Sequence, residues 1–119
     1  MNNLIELISN TGFKQIAENV FELNLPINNF STNTNLKIFL YKKNNKFYFC
    51  DNGDIVEEFD CVNIDTDKAL TKIENKLKEY NCYLIESKIT KEVNLNNFEK
   101  DLTSFIYSII EVDLIYKNI

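Results

Sequence analysis

The spacing of apolar residues changes from helical to alternating near residue 12. Residues 2–9 carry four apolar residues at helix-compatible spacing and predict a short N-terminal helix, with Gly12 as its C-cap. Two alternating runs follow on either side of Glu18-Asn19 and predict a β-hairpin. We expect Pro26 to end the second strand, because proline cannot donate a ladder hydrogen bond.

The middle of the chain predicts a second hairpin. Residues 27–35 are polar and predict a mobile loop. Residues 36–41 then alternate aliphatic with lysine and aromatic side chains, and Asn44-Asn45 separates them from the aromatic run 47–49. This pattern is typical of two strands joined by a tight turn. Another turn is expected at 51–54, and residues 55–59 form either a short strand or the start of a helix.

The second half of the chain predicts two helices separated by a hairpin. Residues 68–80 have one apolar face at three- and four-residue spacing, with Asp65 or Thr66 as the N-cap. Two short strands at 82–85 and 89–93 follow, and residues 95–115 form a long final helix. Adjacent strands with short turns pair antiparallel. The sequence therefore predicts a single α+β domain over 1–119, with an antiparallel sheet of about five to six strands packed against a middle helix and a long C-terminal helix, plus a short N-terminal helix.

Composition removes several kinds of chemistry. The chain has no His and no Arg, so all 13 of its basic residues are lysines. Without His, a Ser-His-Asp or Cys-His pair and a His-containing zinc site cannot be built. Without Arg, bidentate clamps on phosphate or guanine are missing as well. We therefore expect a non-enzymatic protein without a cofactor or a metal.

Charge and cysteine usage indicate the compartment. The net charge of −5 argues against a broad nucleic-acid footprint and suits a basic partner. Cys50, Cys61 and Cys82 are an odd, irregularly spaced set that reads as reduced thiols. No signal segment opens the chain, and no apolar run approaches the roughly 20 residues of a membrane span. We expect a cytoplasmic protein of a bacterium or of a phage-infected cell.

One segment carries a family resemblance. Residues 47–59, FYFCDNGDIVEEF, resemble the strand–D-D/N-G–apolar segment of the "domain of unknown function 1828" proteins of bacteria and their phages. The order of elements from about residue 15 onward is similar to that family. The resemblance implies an α+β fold and a bacterial or mobile-element origin, and it implies no activity.

An acidic cluster follows the turn at residue 51. Its members are Asp51, Asp54, Glu57, Glu58 and Asp60. Carboxylates in this number suit either a basic protein surface or a hard cation such as Mg²⁺ or Ca²⁺, while the simplest interpretation is a turn followed by solvated side chains. The spacing does not match an EF-hand loop. We take the cluster as the predicted interaction patch.

A second pattern is Glu86-Ser87-Lys88 at the end of a strand. Restriction-type nucleases place an acidic residue ahead of Glu-x-Lys, so that two carboxylates hold Mg²⁺ and the lysine orients water. Asp51 or Asp54 would supply the upstream carboxylate. A helix intervenes and the strands are antiparallel, so a plain hairpin is the simpler interpretation.

The hairpin over 36–49 also combines aromatic and basic residues. They are Phe39, Tyr41, Phe47, Tyr48 and Phe49, with Lys37, Lys42, Lys43 and Lys46. Aromatic side chains on a sheet beside lysines suit the stacking of single-stranded bases. Core-filling aromatics and edge-protecting lysines explain the same pattern.

The final helix has more apolar positions than one packing face needs. Phe105, Ile109, Val112 and Tyr116 either pack against the sheet or form a dimer or partner face.

Taken together, these features predict a small acidic interaction protein, encoded by a phage or mobile element, that inhibits a basic nucleic-acid-handling defence protein such as a CRISPR or restriction effector. A metal-dependent nuclease using Asp54, Glu86 and Lys88 and a single-strand-binding hairpin over 36–49 are the alternatives.

Overall fold

The computed structural model describes residues 2–61 and 66–117, with side chains for residues 6–59 and 67–117. Along the chain the elements are α1 (Asn2–Asn10), β1 (Lys14–Ala17), β2 (Val20–Asn28), β3 (Asn35–Lys43), β4 (Lys46–Cys50), α2 (Asp54–Cys61), α3 (Thr66–Lys78), β5 (Tyr83–Ile85), β6 (Lys88–Val93), a 3₁₀ turn (Leu95–Asn97) and α4 (Phe98–Lys117). The strands form one antiparallel sheet in the order β1-β2-β3-β4-β6-β5. The predicted α+β class is confirmed, including its short N-terminal, middle and long C-terminal helices.

Asparagine makes most of the tight turns in a chain that has only two glycines. Asn44 and Asn45 have φ of 53° and 63° and join β3 to β4, as predicted. Asn19 and Asn81 also adopt positive φ, at the β1–β2 turn and after α3. Asparagine tolerates the left-handed region better than most residues, because its short side chain can hydrogen-bond locally.

Strand β2 is longer than predicted. It continues through Pro26 to Asn28, so the expectation that the proline ends the strand is wrong. Its ladder with β3 is regular as far as Asn24 and resumes at Asn28 after an irregularity. Pro26 lies inside that irregularity, where its missing N–H interrupts no regular pair.

Residues 54–61 form a helix rather than a strand. Ile55, Val56 and Phe59 are buried on one side of α2, and Asp54 and Glu57 stand in its first turn. Carboxylates there are favoured by the positive end of the helix dipole. For α3, the predicted N-cap Asp65 lies outside the described residues, as does the side chain of Thr66.

The core forms on one face of the sheet around Phe49. This side chain is fully buried in β4, and its ring lies 6.0 Å from Phe13, 5.5 Å from Phe98 and 5.6 Å from Phe105. The buried residues of all four helices belong to the same cluster, among them Ile8, Ile55, Ile73 and Ile109. The helices therefore cover one face of the sheet.

Burial corrects the prediction of a partner face on the last helix. Phe105, Ile109 and Val112 are each 0 % exposed, so they lie in the core and cannot meet a partner in this structure. Tyr116 is half-buried, and its ring lies 5.2 Å from that of Phe59. The extra apolar positions of α4 serve a central helix packed against the sheet, α2 and α3.

The loop between β2 and β3 is anchored rather than free. Asp113 of α4 is 5 % exposed and accepts hydrogen bonds from the backbone N–H of Phe30 at 2.8 Å and of Ser31 at 3.0 Å. It also accepts one from the Ser31 hydroxyl at 2.8 Å. The Lys117 ammonium lies 4.2 Å from the centre of the Phe30 ring. The sequence-based expectation of a mobile loop missed a carboxylate more than 80 residues away.

We expect Asp113→Ala to lower the free energy of unfolding by roughly 2–4 kcal/mol, because the buried N–H and hydroxyl of Ser31 and the part-buried N–H of Phe30 lose their carboxylate acceptor. Urea denaturation followed by circular dichroism measures this. Glu99→Ala, an exposed carboxylate on the same helix, is the matched control and should change stability by less than about 1 kcal/mol. Equal effects of the two variants would contradict the anchoring role of Asp113.

Candidate functional site

Strand register divides the predicted aromatic cluster between two faces. Paired residues of an antiparallel ladder point to the same side of the sheet. Leu40 pairs with Phe49 on the helix-covered face, while Tyr41 pairs with Tyr48 on the opposite one. Phe47 and Phe49 thus belong to the core side, and Phe39, Tyr41 and Tyr48 do not.

The side of the sheet away from the helices is called the open face below. Its register runs from β1 across to β5, so that Lys14, Glu22, Phe39, Cys50, Thr90 and Tyr83 form one continuous row. A second row contains Tyr41, Tyr48 and Glu92. Lys37, Lys43, Lys46 and Lys88 lie on the same side. In the described part of the chain, no helix contributes its buried residues to this face.

Four aromatic side chains lie on the open face, three of them on the central strands β3 and β4 and the fourth on the edge strand β5. The rings of Tyr41 and Tyr48 are stacked, with centroids 5.3 Å apart and planes 21° from parallel. Tyr83 is 39 % exposed, and Phe39 and Tyr48 are half-buried. Burial, followed by Cys50, Tyr83 and Tyr48, raises the pKa of the Tyr41 phenol. The phenol therefore remains a neutral hydrogen-bond donor at physiological pH.

The aromatic cluster predicted from the sequence does not include Tyr83, because the sequence pattern shows each hairpin separately. It joins the other aromatics because β6 pairs with β4, which brings the β5–β6 hairpin beside the β3–β4 hairpin. The sequence does carry one signal for its position. Tyr83 and Leu84 are adjacent in a strand and point to opposite faces, and Leu84 packs against the core.

Charge is segregated between the strands and the rest of the chain. The strands carry seven of the 13 lysines and only two of the 18 acidic residues. Their lysines are Lys14, Lys37, Lys42, Lys43, Lys46, Lys88 and Lys91, and their acidic residues are Glu22 and Glu92. Strand residues therefore sum to +5 and the remainder to −10, within a chain of net charge −5.

The lysines are distributed unequally over the two faces. Five of the seven stand on the open face and are exposed, and Lys46 forms an ion pair with Glu92 at 3.1 Å. Lys91 is 5 % exposed on the covered face, where its ammonium donates to the Tyr80 carbonyl at 2.7 Å. With Glu22 and Glu92 subtracted, the open face has a net charge of +3.

A groove of about 530 Å³ lies beside the β3–β4 turn, where β4 begins and β6 ends. Asn45, Lys46, Phe47, Glu92 and Leu95 are among its lining residues. Lys46 and Glu92 belong to both the groove and the open face, so a ligand on the face can extend into the groove.

The acidic cluster is not a single surface patch. Asp51 is only 2 % exposed, so the prediction that it contacts a partner is wrong for this structure. Asp54, Glu57 and Glu58 stand three and four residues apart on α2 and share one exposed or half-exposed side. The side chain of Asp60 lies outside the described residues.

Asp51 instead joins β4 to β6. Its backbone N–H donates to the Ile89 carbonyl at 3.1 Å, and its Oδ1 accepts from the Ile89 N–H at 2.8 Å. Its other carboxylate oxygen, Oδ2, is buried without a hydrogen-bond partner among the described residues. Burial raises the pKa of Asp51 to about 6, opposed by the backbone amides of Ile89 and Gly53 and reinforced by Asp54.

The Glu86-Ser87-Lys88 pattern forms a hairpin turn. Glu86 and Ser87 adopt φ of 50° and 66°, and Lys88 begins β6. Lys88 does lie beside the turn at residue 53, because a Cβ on Gly53 would stand 3.5 Å from the Lys88 Cγ. Within residues 2–61 and 66–117, no group of three Asp, Glu, His or Cys side chains converges on one point, so the two carboxylates and the lysine of a nuclease site are not joined by a third ligand of these types.

The Cys50 thiol is held in its neutral form. Burial, followed by the neighbouring Asp51 carboxylate, raises its pKa to about 11, and Lys88 acts in the opposite direction. A neutral thiol is a poor nucleophile, so Cys50 is not activated for covalent chemistry.

The fold and its exposed surfaces define a class of α+β protein with one helix-covered sheet face and one open aromatic and basic face. The chain belongs to the family described as "Domain of unknown function DUF1828", whose model matches residues 27–112. No curated protein and no solved structure shows significant similarity to this chain. In the described ranges, no helix has the length and apolar character needed to cross a membrane.

Asp51 makes stability depend on pH in a defined direction. A raised carboxyl pKa means that the folded state holds the proton more tightly than the unfolded state. This contribution is fully present below the ordinary value of 3.8 and is lost as the pH rises through about 6. We therefore expect the stability of Asp51→Asn relative to the wild type to increase by about 2 kcal/mol when the pH is raised from about 4.5 to about 7.5.

Urea denaturation of both proteins at the two pH values measures this difference. Glu57→Gln removes an exposed carboxylate from the same region and is the control for charge alone. A difference between the Asp51→Asn and wild-type proteins that did not change with pH would contradict the burial of an ionisable Asp51.

Proposed function

We propose that this domain is a non-enzymatic module that binds single-stranded nucleic acid on its open face. The observation that supports this most is the combination on one uncovered surface of four aromatic side chains and five lysines. Binding on an open sheet needs no catalytic residue, which agrees with a chain that has neither His nor Arg.

The aromatic residues supply sequence-independent affinity. A base stacked on an aromatic side chain gains about 1–3 kcal/mol, and sheet platforms of this kind hold two or three bases. Tyr41 and Tyr48 offer a stacked pair at the centre, and Tyr83 offers a more exposed ring two strands away. The phenol hydroxyls of these tyrosines add hydrogen-bonding groups at the same surface.

The lysines surround this centre and suit the phosphate backbone. Lys43 and Lys46 stand at the β3–β4 turn, Lys37 lies at the other end of β3, and Lys88 lies at the start of β6. Lysine contacts a phosphate as a point charge, so the absence of Arg does not remove the attraction between the open face and the phosphate backbone. The acidic residues of the helices act across the sheet and are screened beyond about 10 Å at 0.1 M salt.

Positive charge on the open face also argues against its use for self-association. Two copies meeting face to face would each bring a net charge of +3 to the contact. Like charges at an interface cost free energy, whereas an anionic strand is attracted.

Fluorescence anisotropy with a labelled oligothymidylate tests the proposal. We expect binding at low salt with a slope of log K against log salt of about −2, as for three phosphates on a single strand. Tyr41→Ala and Tyr48→Ala should each weaken binding by roughly 5- to 100-fold. Lys43→Ala should weaken it and reduce the slope by about 0.7.

Tyr107→Ala is the matched control, because Tyr107 is 55 % exposed on α4, away from the open face. This variant should bind like the wild type. An absence of binding at low salt, or equal losses for Tyr107→Ala and Tyr48→Ala, would refute the proposal.

The acidic side of the protein supports a second candidate function. Sixteen of the 18 acidic residues lie outside the strands, and Asp54, Glu57 and Glu58 share one side of α2. Carboxylates in such a row can occupy the phosphate channel of a basic protein. On this proposal the domain, encoded by a phage or mobile element, inhibits a nucleic-acid-handling defence protein such as a CRISPR or restriction effector.

Charge reversal tests this second candidate. The wild type, used as bait in a bacterial host lysate, should capture basic nucleic-acid-binding proteins that elute as salt is raised. Asp54→Lys/Glu57→Lys should lose them, because the row of negative charge is reversed. Capture by the charge-reversed variant with unchanged yield and unchanged salt dependence would eliminate the acidic-surface proposal. Tyr48→Ala, which leaves α2 intact, is the control and should capture the same proteins as the wild type.

A further inference from the structure

A small polar cleft lies where the β2–β3 loop meets the turn between β4 and α2. Its free volume is about 10 Å³, which is about the space of one water molecule or one ion. Asp51 and Asp54 line it from one side, and Asn29, Thr32 and Asn35 line it from the other.

The buried carboxylate of Asp51 gives this cleft its chemical character. Asp51 is 2 % exposed, and its Oδ2 has no hydrogen-bond partner among the described residues. An unpaired buried carboxylate oxygen costs several kcal/mol unless a proton or a cation compensates for it. Asp54 lies close enough that its charge raises the pKa of Asp51. Two carboxylates therefore lie at one small cleft; Asp54 accepts a hydrogen bond from the Asn52 amide at 2.7 Å, whereas Oδ2 of Asp51 is the oxygen left for a cation.

We propose that this cleft binds a single hard divalent cation, with Ca²⁺ preferred, through the carboxylates of Asp51 and Asp54. Carboxylate, amide and hydroxyl oxygens are the donors that such cations take, and the cleft offers no nitrogen or sulfur ligand from His or Cys. The cleft has room for one ion without its water shell. This favours Ca²⁺, which accepts an irregular shell of protein oxygens, over Mg²⁺, which retains several waters.

The cation would connect three separate segments of the chain. Asn29 and Thr32 belong to the β2–β3 loop, Asn35 begins β3, and Asp51 and Asp54 flank the turn before α2. The loop is already fixed to α4 by Asp113, so the cleft is preformed on that side. Binding would therefore stabilise the loop and the start of α2 together.

A lysine of the chain competes with a cation for the site. Lys37 also lines the cleft, and its exposed ammonium on a flexible stem can approach the same carboxylates. A divalent ion carries twice this charge and binds several oxygens at once, so it should displace the lysine. Lys37→Met should accordingly leave Ca²⁺ binding intact or strengthen it.

Isothermal titration calorimetry with CaCl₂ on the full chain at about pH 7.5, above the pKa of Asp51, tests the proposal. We expect one site per chain with a dissociation constant of about 10⁻⁴–10⁻³ M, as for calcium sites with few charged ligands, and weaker binding of MgCl₂. Asp54→Asn, at a half-exposed position that should not disturb folding, and Asp51→Asn should each weaken binding at least tenfold.

Glu57→Gln is the matched control, because it removes a carboxylate of the same helix that does not line the cleft. It should bind Ca²⁺ like the wild type. Hydrogen exchange of the loop amides provides a second measurement, since Ca²⁺ should slow exchange at Asn29 and Asn33 in the wild type and not in Asp54→Asn. A wild type that neither binds Ca²⁺ nor changes its exchange at about ten times the expected dissociation constant would overturn the proposal. Equal binding by Asp54→Asn and the wild type would overturn it too.

Discussion

Phe49 is the contact on which both ends of the chain depend. It lies in the central strand β4, and its ring meets Phe13 after the first helix and both Phe98 and Phe105 in the last. Truncating a fully buried phenylalanine costs about 3–5 kcal/mol, which is a large share of the stability of a domain this size. Because Phe13, just after α1, and Phe98 and Phe105 of α4 all pack on this ring, both ends of the chain meet on the same face of the sheet.

The open face is the direct consequence of packing on one side. Side chains alternate along each strand, so a strand that turns Leu40 and Phe49 inward must turn Tyr41 and Tyr48 outward. An outward face needs only polar or small residues for solubility, yet this one carries four aromatics. Cross-strand pairs such as Tyr41 and Tyr48 stabilise the sheet by less than about 1 kcal/mol each, so stability alone gives a weak reason for four. Their placement among lysines is what supports a binding role.

Charge segregation gives the two sides of the protein opposite characters. The helices and loops carry nearly all of the carboxylates, and the strands carry seven of the 13 lysines, five of them on the open face. A net charge of −5 therefore coexists with a basic surface on one face of the sheet, so net charge alone does not decide whether the protein binds nucleic acid. The same segregation makes the nucleic-acid and protein-binding proposals compatible in space, since they use different faces.

Sequence periodicity predicted the elements well where local chemistry is strong. The Asn44-Asn45 hairpin, the apolar face of α3 and the final helix all follow from turn residues and spacing within a few positions. The errors arose from long-range contacts. No local pattern shows that Asp113 fixes the loop at Ser31, that Asp51 is buried against Ile89, or that α4 is surrounded closely enough to bury Phe105 and Val112.

The candidate site was only partly predictable for a related reason. The aromatic and lysine hairpin was visible, but its division between two faces requires the strand register, and the addition of Tyr83 requires the pairing of β6 with β4. Counting charges over predicted strands alone would already have revealed the basic sheet. The buried Asp51 could not be distinguished from an ordinary turn residue, because Asp-Asn-Gly favours a turn whether or not the carboxylate is exposed.

The most direct test of the central claim is a nuclear magnetic resonance titration of the ¹⁵N-labelled protein with an unlabelled oligothymidylate. The account predicts progressive amide shifts at open-face positions of β3, β4 and β5, including Tyr41, Tyr48 and Tyr83, while the amides of α2 stay in place. Shifts confined to α2, or none at low salt, would contradict the assignment of the open face as the binding surface.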